Sequence, residues 1–391
     1  MRIFGLILAA TLSLPLATRA QDRVPDPVQA PPVSPEGADQ RAFLDLFFDE
    51  SDGKFDISDY LSRGGFIPVP IIITEPAVEG GLGLVLQFIS WPDGRRESLT
   101  RRMLGAARTG NGSYGYGYFQ SGTVLDGRLS YRFGVGKGEL TIAAYPGGGT
   151  FPLEYTTEFT YGVLGSARWA LNDPRFSVGV NWDFREIRTT LALPGLPPAI
   201  RPDIDRTIRT GALGLGFHFD SRDNPLTPTE GVNVYLDTKF NTDAFGSDRA
   251  FDVYDLASFG FGRLGSDWRY GMMTSASLVT GDVPFNFVPS IENRGVPANR
   301  YQGKLVLNAE AELTRQLNDR WSVLGFAGVG YADARDSRLF ADSGAIYSGG
   351  VGARYRIARK LGVDAGIDLA FGPEEPVIYF QFGHAWMRWM D

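Results

Sequence analysis

Histidine is the first side chain to consider for chemistry, because its imidazole transfers protons near neutral pH. The chain contains two histidines, His218 and His384, and no cysteine. His218 lies two positions before Asp220, so in a strand both side chains would share one face, as a hydrolase pair requires. No serine stands out as a partner, and the sequence contains no nucleophile elbow, His-Glu-x-x-His or phosphate-binding glycine loop. We therefore predict no enzyme activity and no cofactor.

The acidic run from Asp49 to Asp56 is the second candidate, because calcium-binding loops alternate carboxylate ligands. It reads DESDGKFD and lacks both the regular spacing and the closing Glu of such a loop, so we predict no metal site. An apolar group just upstream makes the stretch 39–61 amphipathic: Phe43, Leu44, Leu46 and Phe47. We expect this stretch to form a small cap or plug on the rest of the protein.

The elements that must position such residues are β-strands, because apolar and polar residues alternate over the segments 305–316, 347–357 and 361–371. One face of these segments is apolar, and the other carries Glu310, Glu312, Arg354, Arg356, Asp364 and Asp368. Alternation of this kind is typical of strands between lipid and water. The strands reach about ten residues, longer than is usual in soluble proteins, and a sheet in lipid must close to satisfy its backbone. We predict an all-β fold, a closed antiparallel transmembrane β-barrel rather than a soluble sandwich.

The N-terminus predicts export. Arg2 is followed by an apolar run over 3–16 and by small residues up to Ala20, so we expect a signal peptide at 1–20. Residues 21–65 begin with a proline-rich stretch, which predicts a periplasmic linker leading into the cap or plug segment. No later stretch has the length and hydropathy of a transmembrane helix. The net charge of -7 argues against a nucleic-acid partner.

Connection lengths predict the topology. Tight turns near 125–127, 172–175, 265–267, 317–319 and 359–360 alternate with longer connections, as periplasmic turns and extracellular loops do in outer-membrane barrels. Counting back from the C-terminus gives fifteen strands, and an even number is needed to return both ends to the periplasm. The sixteenth candidate is 66–73, where Pro68 and Pro70 lack N–H donors on one side. It is either an irregular lead-in or a first strand that closes weakly against the last one.

The C-terminal segment 376–386, PVIYFQFGHAW, has the aromatic pattern of a final strand. It resembles the signal by which outer-membrane barrels are recognised for assembly, with Phe380, Phe382 and Trp386 as its aromatic positions. We therefore expect the barrel to occupy 66–386, with a tail at 387–391. The barrel assembly machinery is the partner expected for its own insertion.

A turn motif between two predicted strands carries the first family resemblance. Within FHFDSRDNPLTPTEGVNVYL, the pattern Asp-x-Arg-x-x-Pro-x-x-Pro-x-x-Gly is formed by Asp220, Arg222, Pro225, Pro228 and Gly231. The string resembles the BamA/TamA superfamily, the bacterial surface antigen barrels, where this turn lies on the periplasmic side between the eighth and ninth of sixteen strands. Our strand count puts it at the same place.

A second match lies in the long loop SIENRGVPANRYQGK. Arg294 and Gly295 correspond to the Arg-Gly pair that the family carries in a long sixth extracellular loop folded into the lumen. The resemblance implies an ion pair between Arg294 and Glu312 on the next strand; a solvated loop arginine is the alternative. The family's aliphatic and aromatic flanks are replaced by Asn293 and Val296. The place of its second wall carboxylate is taken by Gly328.

The resemblance implies a role in outer-membrane biogenesis. Between the predicted cleavage site and the first strand there is too little chain for the periplasmic polypeptide-transport-associated domains of the family, so this is expected to be a short form without them. The expected partners are outer-membrane lipids and an unfolded outer-membrane protein as client, admitted through a weak seam between the first and last strands. The alternative is a passive pore or structural surface barrel without a client.

Overall fold

The computed structural model describes residues 43–62, 65–75, 78–90, 100–144, 153–192, 204–333 and 344–386. The predicted signal peptide, the proline-rich linker and the tail at 387–391 lie outside these residues. Sixteen strands form one sheet in which each strand pairs antiparallel with the next. Their bounds are β1 Gly65–Ile73, β2 Gly81–Ser90, β3 Thr100–Thr109, β4 Tyr114–Val124, β5 Leu129–Ala144, β6 Leu153–Ala170, β7 Phe176–Ala192, β8 Ile204–Asp220, β9 Gly231–Asn241, β10 Phe251–Leu264, β11 Trp268–Gly281, β12 Leu305–Gln316, β13 Trp321–Asp333, β14 Gly344–Ala358, β15 Val363–Phe371 and β16 Val377–Phe382.

Alternation along each strand separates an outer apolar surface from the lumen. On β12, Leu307 and Leu313 are exposed on the outside, whereas Val306 and Glu310 are buried inside. Such a surface suits lipid, because interior and exterior residues of a barrel alternate along every strand. In the described part of the chain, no helix has the length and hydropathy to cross a membrane.

The two ends of the barrel differ in their connections. The end that we call the turn end carries the connections 125–128, 171–175, 221–230, 265–267, 317–320 and 359–362. The opposite end, which we call the loop end, carries 242–250 and the long loop 282–304. The loop end also carries the short connections 110–113 and 372–376, so the described residues follow the predicted alternation of tight turns and long loops only in part. The turn motif lies between β8 and β9 as expected.

The barrel is nearly closed, with one unsealed seam between β1 and β16. β1 pairs with β2 along all nine residues, which confirms a sixteenth strand rather than an irregular lead-in. In an antiparallel pair only alternate residues bond to a given neighbour. A proline whose nitrogen faced β2 would interrupt the β1–β2 ladder, and this ladder is unbroken. The nitrogens of Pro68 and Pro70 therefore face the other edge of β1, towards β16, and that edge lacks two N–H donors. No pairing joins β1 to β16 within the described residues.

Two strand boundaries differ from the sequence prediction. β16 ends at Phe382, not at Trp386, because Gly383 has a φ of 77° and turns the chain out of the sheet. Trp386, which the sequence placed in the final strand, therefore lies outside it. The fifteenth strand begins at Val363, because Arg359–Leu361 forms a 3-10 turn.

The N-terminal segment 43–62, which we call the cap, packs on the turn end. It consists of a 3-10 helix, Phe43–Phe47, a bridge between Phe48 and Phe55, and helix α1, Ser58–Ser62. The backbone N–H of Ile57 donates to the carbonyl of Ile357 at 2.8 Å. Leu61 is buried in an apolar cluster with Leu226, Ala358 and Val363.

Candidate functional site

The long loop 282–304 folds into the lumen from the loop end. Phe285 packs edge-on against Tyr155 of β6, and Phe287 packs against Phe251 of β10, both with ring centroids 5.1 Å apart. Further along the loop, Ile291 and Val296 are buried with inward residues of β12 and β13. Inward apolar side chains on several strands thus form the surface that receives the loop.

Arg294 lies at the point where this loop meets the wall. Its Nε donates to Glu310 Oε1 at 2.9 Å, and Nη2 lies 2.8 Å from Glu312 Oε2. Nη1 donates to Asp368 Oδ2 of β15 at 2.7 Å. The guanidinium carbon lies 3.6 Å from the ring centroid of Phe326. Three carboxylates from two strands and the face of the Phe326 ring therefore hold a single arginine, with the Trp386 ring farther away at 5.9 Å.

The cluster is buried and nearly balanced in charge. Arg294 is 6% exposed at its side chain, Glu310 is 1% exposed and Asp368 is fully enclosed. Arg354 of β14 donates from Nη2 to Asp368 Oδ2 at 2.9 Å, which adds a second cation. Buried carboxylates that lose such a partner are costly, because charges are poorly solvated inside a protein. Each member therefore stabilises the cluster mainly by preventing an uncompensated charge.

Gly295 allows the loop backbone to approach the seam strands. Its φ of 84° is in the left-handed region, and a Cβ there would lie 2.9 Å from the carbonyl oxygen of Phe371. Its N–H donates to the hydroxyl of Tyr379 on β16 at 3.1 Å. Any side chain at this position would push the loop away from β15 and β16.

The departures from the family pattern have a structural basis. Gly328 takes the expected place of a wall carboxylate, and the amide of Asn293 occupies the space above it, 3.0 Å from where a Cβ would lie. Asp368, on β15, supplies a carboxylate from a different strand. Sequence reasoning identified Arg294 and Glu312, but it did not assign Glu310 or Asp368 to the site. The alternation of apolar and polar residues predicts that both side chains face the lumen, and this was the sequence signal that could have included them in the site.

The segment 383–386 enters the lumen and joins the same cluster. Trp386 Nε1 donates to Glu310 Oε1 at 2.6 Å. Its ring packs in a buried group with inward residues of β9 to β11: Tyr235, Phe259, Phe261 and Met273. Gly271 provides the room, since a Cβ there would lie 2.7 Å from the indole. The predicted strand-signal tryptophan is thus an anchor inside the barrel.

The turn motif lies against this segment. Arg222 makes a two-pronged contact with Asp220, with Nη2 to Oδ2 at 2.8 Å and Nε to Oδ1 at 3.0 Å. The N–H of His384 donates to the carbonyl of Leu226 at 2.7 Å, and the His384 ring nitrogen lies 3.4 Å from Arg222 Nη1. The turn motif and the Arg294 cluster are therefore connected through four consecutive residues, 383–386.

The remaining motif residues shape the turn. The carbonyl of Pro225 lies 3.5 Å from Arg222 Nη1. Gly231 has a φ of 104°, and a Cβ there would lie 2.4 Å from the carbonyl of Ser221. Pro228 borders the small space beneath Trp386. These contacts explain the glycine and position the arginine.

The arrangement offers little for catalysis. Asp220 is bonded to Arg222, and the His218 ring nitrogen lies 3.0 Å from the amide of Asn233. Among the described residues, no group of three or more His, Cys, Asp or Glu side chains is placed to hold a metal ion. The carboxylates of Asp49, Asp52 and Asp56 instead surround Arg320. The contacts of this site hold the long loop and residues 383–386 in place inside the lumen.

No protein-family model and no curated protein matches the chain. Among solved structures, BamA from Haemophilus ducreyi lacking POTRA domains 1–3 is similar, with a TM-score of 0.57 and 13% identity over 82% of this chain and 70% of that chain. The chain therefore has a BamA-like barrel fold. CdiB from Escherichia coli has a TM-score of 0.57 and 11% identity over 81% of this chain. CdiB from Acinetobacter baumannii has a TM-score of 0.54 and 12% identity over 81%. The chain covers 61% and 59% of these two CdiB chains, less than two thirds of each.

The BamA-like fold places the predicted seam and signal residues at one edge. Pro68 and Pro70 are exposed on the outer face of β1. Phe380 is exposed on β16, where it pairs in register with Ile367. Phe382 is half-buried and packs on the cluster around Leu61 of the cap. The strand residues of the signal therefore lie next to the seam, whereas Trp386 lies in the lumen.

Proposed function

We propose that this BamA-like barrel resides in the bacterial outer membrane and assists membrane biogenesis by opening between β1 and β16. An incoming client strand or lipid would enter the bilayer through this opening. The observation that carries the proposal is the unsealed seam, because an unpaired strand edge is a template for pairing with another chain. Partners of this function are membrane lipids and an unfolded outer-membrane protein.

Both edges of the seam support this role. β16 is six residues long, against nine for β1, and the edge of β1 lacks the two donors of Pro68 and Pro70. Fewer hydrogen bonds across the seam lower the free energy needed to separate it. A client strand that bonds to the same edge would replace the bonds that closure makes.

The lumen supports a barrel that opens sideways rather than a passive pore. The loop and residues 383–386 occupy the lumen, and a cavity of about 480 Å³ remains beside them. Arg294 joins β12 to β15 through Glu310 and Asp368. This bracing keeps the wall on one side of the seam together while the edge of β1 moves.

A reversible lock on the seam tests the proposal. Ile72 of β1 and Ile378 of β16 are both exposed outward and lie towards the loop end, and the chain has no native cysteine. A variant with Ile72→Cys and Ile378→Cys would be crosslinked with a cleavable dithiol reagent in liposomes. We expect an unfolded outer-membrane protein to insert faster with the uncrosslinked barrel than with empty liposomes. Crosslinking should abolish that gain, and cleavage should restore it.

Each single-cysteine variant, treated with the same reagent, controls for modification alone. Equal insertion rates in crosslinked and cleaved barrels would contradict the seam as the route. Equal rates with and without any barrel would contradict the biogenesis role and favour the passive pore.

A further inference from the structure

Two aromatic side chains of the cap remain exposed although the cap is packed on the barrel. Phe48 is 49% exposed and Phe55 is 45% exposed. The two residues are bridged through their backbones, and their rings meet edge to face at 6.3 Å. They form a joined apolar pair at the edge of a small hairpin, and the contacts within the cap leave that pair uncovered.

The barrel has its own outward aromatic residues at the turn end. Trp169, Trp268 and Trp321 are each between 39% and 48% exposed next to tight turns. Trp321 of β13 packs against Tyr355 of β14 with centroids 5.0 Å apart. Aromatic girdles of this kind lie where a membrane meets water. The girdle therefore marks the level of the membrane surface at this end.

The cap continues that girdle. On one side, the hydroxyl of Tyr355 donates to the carbonyl of Phe55 at 2.8 Å. On the other side, the hydroxyl of Tyr60 donates to the carbonyl of Phe66, the second residue of β1, at 2.9 Å. Between them, Phe47 stacks on both Phe55 and Tyr60, at 6.5 and 4.9 Å. The aromatic contacts thus pass from β14 to β1 across the turn end of the seam.

Four of the six acidic residues of the cap have cation partners on the barrel, and Asp45 and Glu50 are the other two. Asp49, Asp52 and Asp56 contact the guanidinium of Arg320, which is fully enclosed. Asp59 contacts Lys360. Neutralising these carboxylates removes much of the electrostatic cost of bringing the segment to a phospholipid surface.

We propose that the cap is a membrane-binding element of its own, with Phe48 and Phe55 seated in the headgroup region of the leaflet at the turn end. Its partner is the phospholipid interface, argued from continuity with the girdle residues Trp321 and Tyr355. Its position beneath the seam makes it the element that extends the girdle where the sheet is unsealed. The proposal is independent of any client.

Single-cysteine labelling tests this directly, because the chain has no native cysteine. An environment-sensitive fluorophore would be attached to Phe48→Cys, and in a separate protein to Asp319→Cys, an exposed residue in the β12–β13 turn. Both proteins would be reconstituted alone in phosphatidylethanolamine–phosphatidylglycerol vesicles. Retained heat-modifiable migration on gels would verify that each labelled barrel is folded.

At position 48, we expect a blue-shifted spectrum and quenching by lipids that carry a nitroxide near the headgroup, at least twofold stronger than at position 319. Iodide in the water should quench the label at 319 more strongly. Equal quenching of the two labels by lipid and iodide would overturn the proposal. A label at 48 that is shielded from both quenchers would also overturn it, since protein and not lipid would then cover the site.

Discussion

At the residue scale, the Arg294 cluster shows which contacts sequence can predict. Glu312 was assigned because the family resemblance names a carboxylate on the next strand. The alternation of side chains along a strand predicts that Glu310 and Asp368 face the lumen. It does not predict which of the inward carboxylates the loop arginine contacts. Trp386 could not be placed, because the apolar pattern of β16 continues past the glycine at which the strand ends.

Replacing Arg294 with alanine should destabilise the barrel strongly. Glu310 and Asp368 would lose a cation in an enclosed site, and breaking a buried ion cluster costs about 3–5 kcal/mol. The midpoint of the folded-to-unfolded gel shift in urea measures this loss.

A control lies in the same loop. Arg300 binds Glu374 at 3.0 Å where both side chains are partly exposed, so Arg300→Ala should cost no more than about 1 kcal/mol. Similar midpoint shifts for the two variants would show that the loop tolerates loss of the buried cluster.

At the element scale, the sequence predicted a cap or plug segment but not the contacts that hold it. The spacing of the acidic run differs from that of calcium loops, and the sequence offered no other partner for its carboxylates. Its partner, Arg320, lies in a tight turn 264 to 271 positions away, and no local pattern links segments so far apart. The hydrogen bond from Arg320 lowers the pKa of Asp52 from 3.8 to about 2, against the opposing effect of desolvation.

Acid should release the cap. A carboxylate whose pKa is lowered in the folded state contributes stability above its unfolded pKa and loses it as the pH falls towards the folded value. Asp52 therefore predicts full attachment at neutral pH and detachment between about pH 4 and pH 2. A spin label at Lys54→Cys should be immobile at pH 7 and mobile near pH 2. The same label in an Arg320→Gln background should already be mobile at pH 7, and pH-independent mobility in the parent would contradict the prediction.

At the scale of the whole molecule, strand number and topology followed from alternation and connection lengths. Strand alternation and connection length can each be read from a short stretch of sequence, because they follow from the geometry of the backbone and the thickness of the bilayer. The filled lumen was expected only through the loop resemblance, and the contribution of residues 383–386 was not expected at all. Pro68 and Pro70 predicted a first strand that closes weakly, but whether the seam seals also depends on β16, which lies at the other end of the described chain.

The filled lumen predicts low conductance. In planar bilayers the barrel should show small currents, because the long loop and residues 383–386 occupy the lumen. Replacing 284–300 with a short glycine–serine linker should raise the conductance several-fold. Shortening 242–250, the other described long connection of the loop end, provides the control and should change it little. A steady, large open state in the unmodified barrel would instead support the passive pore.

The attachment of the cap to Arg320 also imposes an order on folding. A contact between residues more than 260 positions apart forms only after nearly the whole chain is present, and contacts of such long range form slowly. The Arg294 cluster likewise can form completely only when Asp368, which is 74 positions away, is in place. The ion pairs between the cap and Arg320 therefore cannot form until the turn between β12 and β13 is in place, so a barrel interrupted before that point would lack them.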